Sequence, residues 1–384
     1  MKAAVTILVF CVASLLALGM VMLYSSGMYR SGMAQVGARF LTMQLVWCLL
    51  GLGVCVAATM VDYRQLKRFW WVPLAVTVPM LVLVLFGHKI NGARRWFSFG
   101  MVHLQPSEFA KIALIIALAW YGERFQRQMP RWTRGVLIPG VLIGVTVGLI
   151  FKEPDVGNAL VLATISGMLL LIAGIRLRYF LPPVIAVTIG VAAFIYYNPL
   201  RSDRIYSWLH VEETRLRTGH QAYEAMVALG SGGFTGKGLG DGRQKLGFLP
   251  EHQTDFIFSI IGEELGLIAT LLVVGAFTAI VFCGIYIAMN ATDTFGLLLG
   301  SGITFLIGLQ AFINIGVVTG VLPNKGLPLP FISYGGSNLL MMLTCVGLLL
   351  SIARRAREPE GSMREVVADG EVGNPFARRP QSQA

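Results

Sequence analysis

Residues 245–266 read KLGFLPEHQTDFIFSIIGEELG, a polar and charged loop that runs straight into a long apolar stretch. Asp255 stands where the two meet, and Glu263 and Glu264 lie about two helical turns further on. A carboxylate at the centre of a bilayer costs about 2.5–3.5 kcal/mol on insertion scales, so an acid kept at the mouth of a membrane helix marks either a functional site or an ion pair with a nearby base. In a helix running on from Asp255, eight residues advance about 800°, which leaves Glu263 about 80° away and about 12 Å deeper, while Glu264 points nearly opposite. Glu263 is therefore expected to share a cavity with Asp255, and Glu264 to hold helices together.

Outward from this segment, the chain of 384 residues is 55% hydrophobic and only 13% charged, too apolar for a soluble protein. About 20 apolar residues span a bilayer, and ten segments qualify as candidates: 4–25, 40–60, 70–87, 107–121, 135–151, 156–174, 179–198, 256–288, 295–320 and 335–353. Backbone groups in lipid must bond within their own segment, so the expected fold is an all-α polytopic membrane protein of about ten transmembrane helices. The organisation expected is seven helices over 1–198, a large extracytoplasmic loop with short interfacial helices over 199–255, three more helices over 256–354, and a disordered cytoplasmic tail over 355–384. The apolar run after Lys2 is long for a signal peptide and has no clear small-x-small cleavage site, so it reads as a retained first helix. Both termini are then cytoplasmic. The five cysteines lie in apolar segments without metal-ligand spacing.

The net charge of +11 sits in loops between apolar segments, which points to topology, anionic lipid or a phosphate-bearing substrate and not to nucleic acid. Arg201, Arg204, Arg215, Arg217, Lys237, Arg243 and Lys245 fall in the loop assigned to the outside, against the positive-inside rule. Positive charge on that side implies an anionic ligand. Within this loop GSGGFTGKGLGDGRQ, residues 230–244, is a glycine run whose N–H groups can approach an anion closely, or else a flexible turn. A second irregular stretch, GVLPNKGLPLPFISYGGSN over 320–338, is rich in proline and glycine yet nearly as apolar as its flanks, which suits a re-entrant loop over 320–337. Lys325 is its one charge, and Ser333, Gly335 and Gly336 lead into the last helix. A third, NGARRWFSFGMVHLQPSEFAK, sets Arg94 and Arg95 before Trp96 and places Pro106 at a helix start, capped by Gln105 or Ser107. Glu108 and Lys111 share one helix face as an internal pair. A fourth, KEPDVGNA, puts Glu153 and Asp155 at another helix mouth.

Taken together, NGARRW, QPSEFAK, EPDVGNA, ALGSGGFTGKGLG, LPEHQTDFIFSIIGEELG and NIGVVTGVLPNKGLPLPFISYGGSN resemble, in the same order, the motifs of the shape, elongation, division and sporulation (SEDS) family. The match spans most of the chain and is closer to the division branch than to the elongation branch. Two departures stand out. The usual SYGGSS reads SYGGSN with Asn338, and the histidine often found just before the threonine of TDF is one position earlier, at His252. The resemblance implies a peptidoglycan glycosyltransferase in the bacterial cytoplasmic (inner) membrane, at the division septum. Its substrates would be lipid II and the nascent glycan strand. Its partners would be a class B penicillin-binding protein transpeptidase, other division-complex membrane proteins and membrane lipid. The family's essential aspartate falls on Asp255.

A pyrophosphate leaving group needs counter-charge, not a proton, so one carboxylate base and a cationic clamp suffice where glycosidases use two acids. Asp255 is then the catalytic base. Lys325, Arg243, Lys245, Arg94 and Arg95 are candidates for the clamp, with Lys325 first because it is solitary in an apolar turn. Arg94 and Arg95 also suit lipid headgroups. Glu263, Ser333, Gly335 and Gly336 complete the expected substrate site, and Glu108, Lys111 and Glu264 are expected to be structural. No cofactor is required. A divalent cation such as Mg2+ is compatible with the chemistry, but no acidic cluster demands one. The competing readings are a lipid II flippase and a non-catalytic division scaffold.

Overall fold

The structure is a computed structural model and describes residues 1–27, 34–87, 89, 93–99, 102–246 and 253–356. The helices among these residues are α1 (Lys2–Gly27), α2 (Ala34–Met60), α3 (Arg64–Arg68), α4 (Trp71–Val84), α5 (Pro106–Arg124), α6 (Ile138–Lys152), α7 (Val156–Ile172), α8 (Leu177–Tyr197), α9 (Pro199–Leu209), α10 (His220–Ser231), α11 (Ile257–Met289), α12 (Thr294–Val318) and α13 (Gly336–Arg355). The chain is an all-α polytopic membrane protein with one departure. In the NGARRW region β1 (Phe97–Phe99) and β2 (Val102–Leu104) pair antiparallel, with Phe97 opposite Leu104 and Phe99 opposite Val102. Each of the ten apolar segments is helical, and seven helices are long and apolar enough to cross a membrane. Helices α4 and α7 are apolar but shorter. Most of the tail over 355–384, and His252, lie outside the described residues.

Helices α5, α12 and α13 form the centre. Helix α5 buries side chains all round, from Pro106 to Gly122, whereas α8 buries none and turns its apolar residues outward. That is the pattern of a bundle in lipid, where the outer face has no water to avoid and gains nothing from being covered. Close approach at the centre depends on small residues. A Cβ on Gly347 of α13 would lie 2.5 Å from the Cys55 carbonyl of α2, and one on Gly19 of α1 would lie 2.8 Å from Ile332 Cα.

The decisive local feature is a break in α11. Gly266 has φ +75°, outside the helical range and favourable only for glycine. The glycine run supplies the bonds lost there: Leu267 N–H donates to Gly233 O at 2.9 Å, and Ile268 N–H to Phe234 O at 3.3 Å. In return Lys237 N–H donates to Glu263 O and Gly238 N–H to Glu264 O, each at 3.0 Å. The run is thus a strap wound around the first turns of α11, packed so tightly that a Cβ on Gly236 would lie 2.2 Å from Glu264 O. Gly266→Ala would force a side chain into this left-handed backbone, 2.4 Å from Gly236 N and 2.5 Å from Phe234 O. It is expected to destabilise the protein by at least 1–3 kcal/mol, roughly the strain alone, read as a lower midpoint of thermal aggregation in detergent. An unchanged midpoint would show that the strap does not hold this break.

Candidate functional site

Asp255 lies in the turn before α11, whose N-cap is Phe256, so the helical rotation counted from Asp255 does not apply. The turn is bound to the loop between α12 and α13. Asn314 Nδ2 donates to Asp255 O at 2.8 Å and to Leu327 O at 2.7 Å. Ser333 Oγ donates to Thr254 O and accepts from Leu329 N–H at 2.8 Å, and Tyr334 N–H donates to Gln253 O at 3.0 Å. The Asp255 carboxylate rests against Gly326, where a Cβ would stand 2.5 Å from Oδ2. The base expected from the sequence therefore rests against the residue that follows Lys325 in the chain.

Beneath the loop lies a buried polar network. Lys111 Nζ, fully buried, donates to Glu108 Oε1 at 2.8 Å, to Gln310 Oε1 at 3.1 Å and to Asn158 Oδ1 at 3.2 Å. Gln310 Nε2 donates onward to Pro328 O at 2.9 Å. The second oxygen of Glu108 accepts from Asn338 Nδ2 at 2.9 Å, which gives the departure from SYGGSS a physical role. Asp155 caps α7, accepting from Asn158 N–H, Asn158 Nδ2 and Gln105 Nε2. Gln105 occupies the N-cap position of α5 but spends its side chain on Asp155, and Ser107 makes no cap. Every member stands on a helix end or a helix face turned inward, as satisfaction of polar groups at this depth requires.

The remaining expected site residues separate sharply. Glu263 does not face an open cavity. It is fully buried, pairs with Lys237 at 2.9 Å, and accepts the N–H groups of Arg243 and Gln244 at 2.9 and 3.1 Å. Lys245 is not presented to a ligand either: it is buried against Glu264 at 2.6 Å and Ser25 Oγ at 3.1 Å, which ties α1 to the strap. Glu264 also accepts from Ser25 Oγ and Gly240 N–H. The glycine run does cradle an anion, but the anion is the protein's own glutamate pair. Ser333 is buried by its loop bonds, Gly335 N–H reaches Gln44 Oε1, and Gly336 packs on Trp47. Arg243 is exposed on the strap and Arg94 is exposed with Nη1 on Leu85 O. A cavity of about 440 Å³ behind the strap is lined by apolar residues such as Leu229, Phe258 and Val274, and no charged group reaches it. Among the described residues no group of three or more His, Cys, Asp or Glu side chains is arranged to hold a metal ion.

Two residues beyond the expected set act electrostatically on the expected cations or are acted on by them. Arg201, on α9, lies in the electrostatic field of both Arg95 and Lys325. Its signal in the sequence was only one basic residue among many in a loop. Glu153 is fully buried, and neither carboxyl oxygen has a hydrogen-bond partner. Arg95 bonds to the main chain there, with Nε on Glu153 O at 3.1 Å and Nη2 on Pro154 O at 2.9 Å. Burial, and then the charge of Asp155, push the Glu153 carboxyl up to about 8, against the pull of Arg95. At neutral pH Glu153 is then mostly protonated and leaves the nearby cations uncompensated.

A protein-family model described as "Cell cycle protein", covering FtsW, RodA and SpoVE, matches residues 6–358. A relative in Trichlorobacter lovleyi, named "Probable peptidoglycan glycosyltransferase FtsW", is 42% identical over 90% of this chain and 92% of its own length. One of the same name in Coxiella burnetii is 39% identical over 90% and 95%. A chain solved in work on the structural coordination of polymerization and crosslinking by a peptidoglycan synthase complex superposes with a TM-score of 0.75 and 29% identity, over 91% of this chain and 98% of that one. The crystal structure of the rod shape determining protein RodA of Thermus thermophilus gives 0.66 and 27%, over 91% and 97%.

Two measurements check the site's electrostatics. Glu264→Gln strands the Lys245 charge in a buried place and is expected to cost roughly 3–5 kcal/mol; adding Lys245→Met should recover most of it, seen as yield and thermal midpoint, and no recovery would deny the pair its role. For Glu153 the folded carboxyl holds its proton to about 8, while the unfolded one releases it near its ordinary value of 4.5. Wild-type stability should therefore decline as pH rises through that window. Glu153→Gln mimics the protonated form, so its thermal midpoint should equal the wild type's at the acid end and exceed it at the alkaline end; a constant difference across the window would contradict the burial argument.

With its motifs in order and its fold shared, this chain is a member of the FtsW/RodA/SpoVE family, the SEDS proteins.

Proposed function

We propose that the protein is a peptidoglycan glycosyltransferase that polymerises lipid II into glycan strands for cell division. The observation that carries this reading is the Asp255 carboxylate against Gly326, next to Lys325. Glu108, Glu153, Asp155, Glu263 and Glu264 are buried, whereas Asp255 is half-exposed at the loop. Of these acids it is the one a substrate hydroxyl can reach.

In the reaction, the acceptor's GlcNAc 4-hydroxyl gives its proton to Asp255 as its oxygen bonds to the donor's MurNAc anomeric carbon. The bond from that carbon to the pyrophosphate breaks, with inversion, and its electron pair leaves on the phosphate. Lys325 and Arg95 offset that growing charge. No second acid is needed, which fits the engagement of Glu263 and Glu264 by the strap. Glu263, Lys245, Ser333, Gly335 and Gly336 hold the site in shape instead of touching substrate. In this reading the loop face lies outside the cytoplasmic membrane, with both termini inside and the protein at the septum, and the basic charge that face keeps against the positive-inside rule is there for an anionic substrate. A class B penicillin-binding protein is the partner that would crosslink the product.

Purified protein, with and without its transpeptidase partner, is to be incubated with lipid II and the glycan ladder followed. Asp255→Asn is expected to slow polymerisation by about 10²–10⁴ while leaving the thermal midpoint and lipid translocation in vesicles unchanged. Ladders of normal length from the variant would refute the base assignment. Loss of translocation without any polymerisation in the wild type would instead make the protein a flippase.

A further inference from the structure

Arg201 is held in place by groups that have no other evident task. Its N–H donates to Asn198 O at 3.0 Å. Its guanidinium carbon lies 4.7 Å from the ring centroid of Phe194, and that ring is 4.8 Å from Phe151, two residues before Glu153. The stack of Arg201, Phe194 and Phe151 orders a long side chain at the junction of α8 and α9 and limits the rotamer freedom it would lose on binding. Helix α9 is itself tied to the loop that carries Lys325, because Trp208 Nε1 donates to Gly320 O at 2.8 Å.

Three half-buried cations stand on three elements, Arg95 beside the hairpin, Arg201 on α9 and Lys325 on the loop that Trp208 ties to α9, and Arg201 feels the charge of Arg95 as Lys325 feels that of Arg201. Among the described residues, none of the three has a carboxylate within ion-pair distance. By contrast Lys237 and Lys245 each have a glutamate. Burial, then Arg204 and Arg95, hold the Arg201 guanidinium below its ordinary value, and burial and Arg201 do the same to Lys325. Gathering like charges without counter-ions is unfavourable in the free protein, and a ligand of more than one negative charge relieves it. Arg95 spends Nε and Nη2 on main-chain oxygens and keeps Nη1 for such a ligand.

We propose that Arg201 is a third cation on the donor's pyrophosphate and sets the preference for a diphosphate over a monophosphate. The inference rests on the glycosyltransferase reading above and adds to it. A lysine is a point charge that suits one phosphate, whereas a guanidinium fork can take two oxygens of the next. An anionic phospholipid offers the same phosphate chemistry with a single charge and is the competing occupant.

Calorimetry with farnesyl pyrophosphate and farnesyl phosphate as probes tests this in phosphatidylcholine nanodiscs, with and without phosphatidylglycerol. Arg201→Gln keeps a planar group over Phe194 and should weaken the pyrophosphate by roughly tenfold or more, with little change for the monophosphate; Arg201→Lys should recover part of the loss. Phosphatidylglycerol should not displace the pyrophosphate from the wild type. Equal weakening of both probes, an unchanged pyrophosphate affinity, or displacement by phosphatidylglycerol would overturn the inference. Lipid II polymerisation by the wild type reports the parent reading separately. If strands form while Arg201→Gln binds pyrophosphate normally, only this inference fails. If no strands form yet the discrimination depends on Arg201, the inference stands and the glycosyltransferase reading falls.

Discussion

Glu263 and Glu264, sealed from water, are met by Lys237, Lys245, Ser25 and the N–H groups of Gly240, Arg243 and Gln244. Unpaired, two carboxylates this deep would be expensive. Paired, they bind a glycine strap to the first turns of α11 and close the break at Gly266. The turn that bears Asp255 immediately precedes those turns, so its position follows from theirs. The loop over 320–335 then docks on that turn through Ser333 and Tyr334, with Asn314 of α12 bridging the two, and sets Gly326, the residue after Lys325, against the Asp255 carboxylate.

The charges of the protein fall into two sets. Those at Glu108, Lys111, Glu263, Glu264, Lys237 and Lys245 are settled within the fold, where each has an opposite charge at hydrogen-bond distance. Among the described residues those at Arg95, Arg201 and Lys325 are not, and the buried Glu153, which feels the charge of Arg95, is held toward its neutral form. The separation leaves cations available at one face while the deeply buried lysines Lys111 and Lys245 are each neutralised by a glutamate.

Much of this was legible beforehand. Each segment that apolar length marked is helical, because lipid leaves no other solution for the backbone. The spacing of Glu108 and Lys111 gave their pair, and the proline-rich apolar stretch gave an irregular loop bearing Lys325. What was not legible depends on contacts distant in sequence. The glycine run is compatible in sequence with an anion site or with a flexible turn, and nothing local says that its N–H groups meet the protein's own Glu263 and Glu264, some twenty residues on. Rotation counted from Asp255 misled because the helix starts only at Ile257. The β1–β2 hairpin was missed for want of any alternating apolar pattern. Arg201 was indistinguishable from the other loop cations until α9 placed it over Phe194.

The central claim is that Asp255 takes the acceptor's proton while the cations at Lys325 hold the departing pyrophosphate. A structure of the protein with an unreactive lipid II analogue and an acceptor glycan tests it most directly. The account predicts an acceptor 4-hydroxyl about 2.6–3.2 Å from an Asp255 carboxylate oxygen, with the pyrophosphate on Lys325. A pyrophosphate seated on the glycine strap, or an Asp255 carboxylate turned away from both sugars, would contradict it.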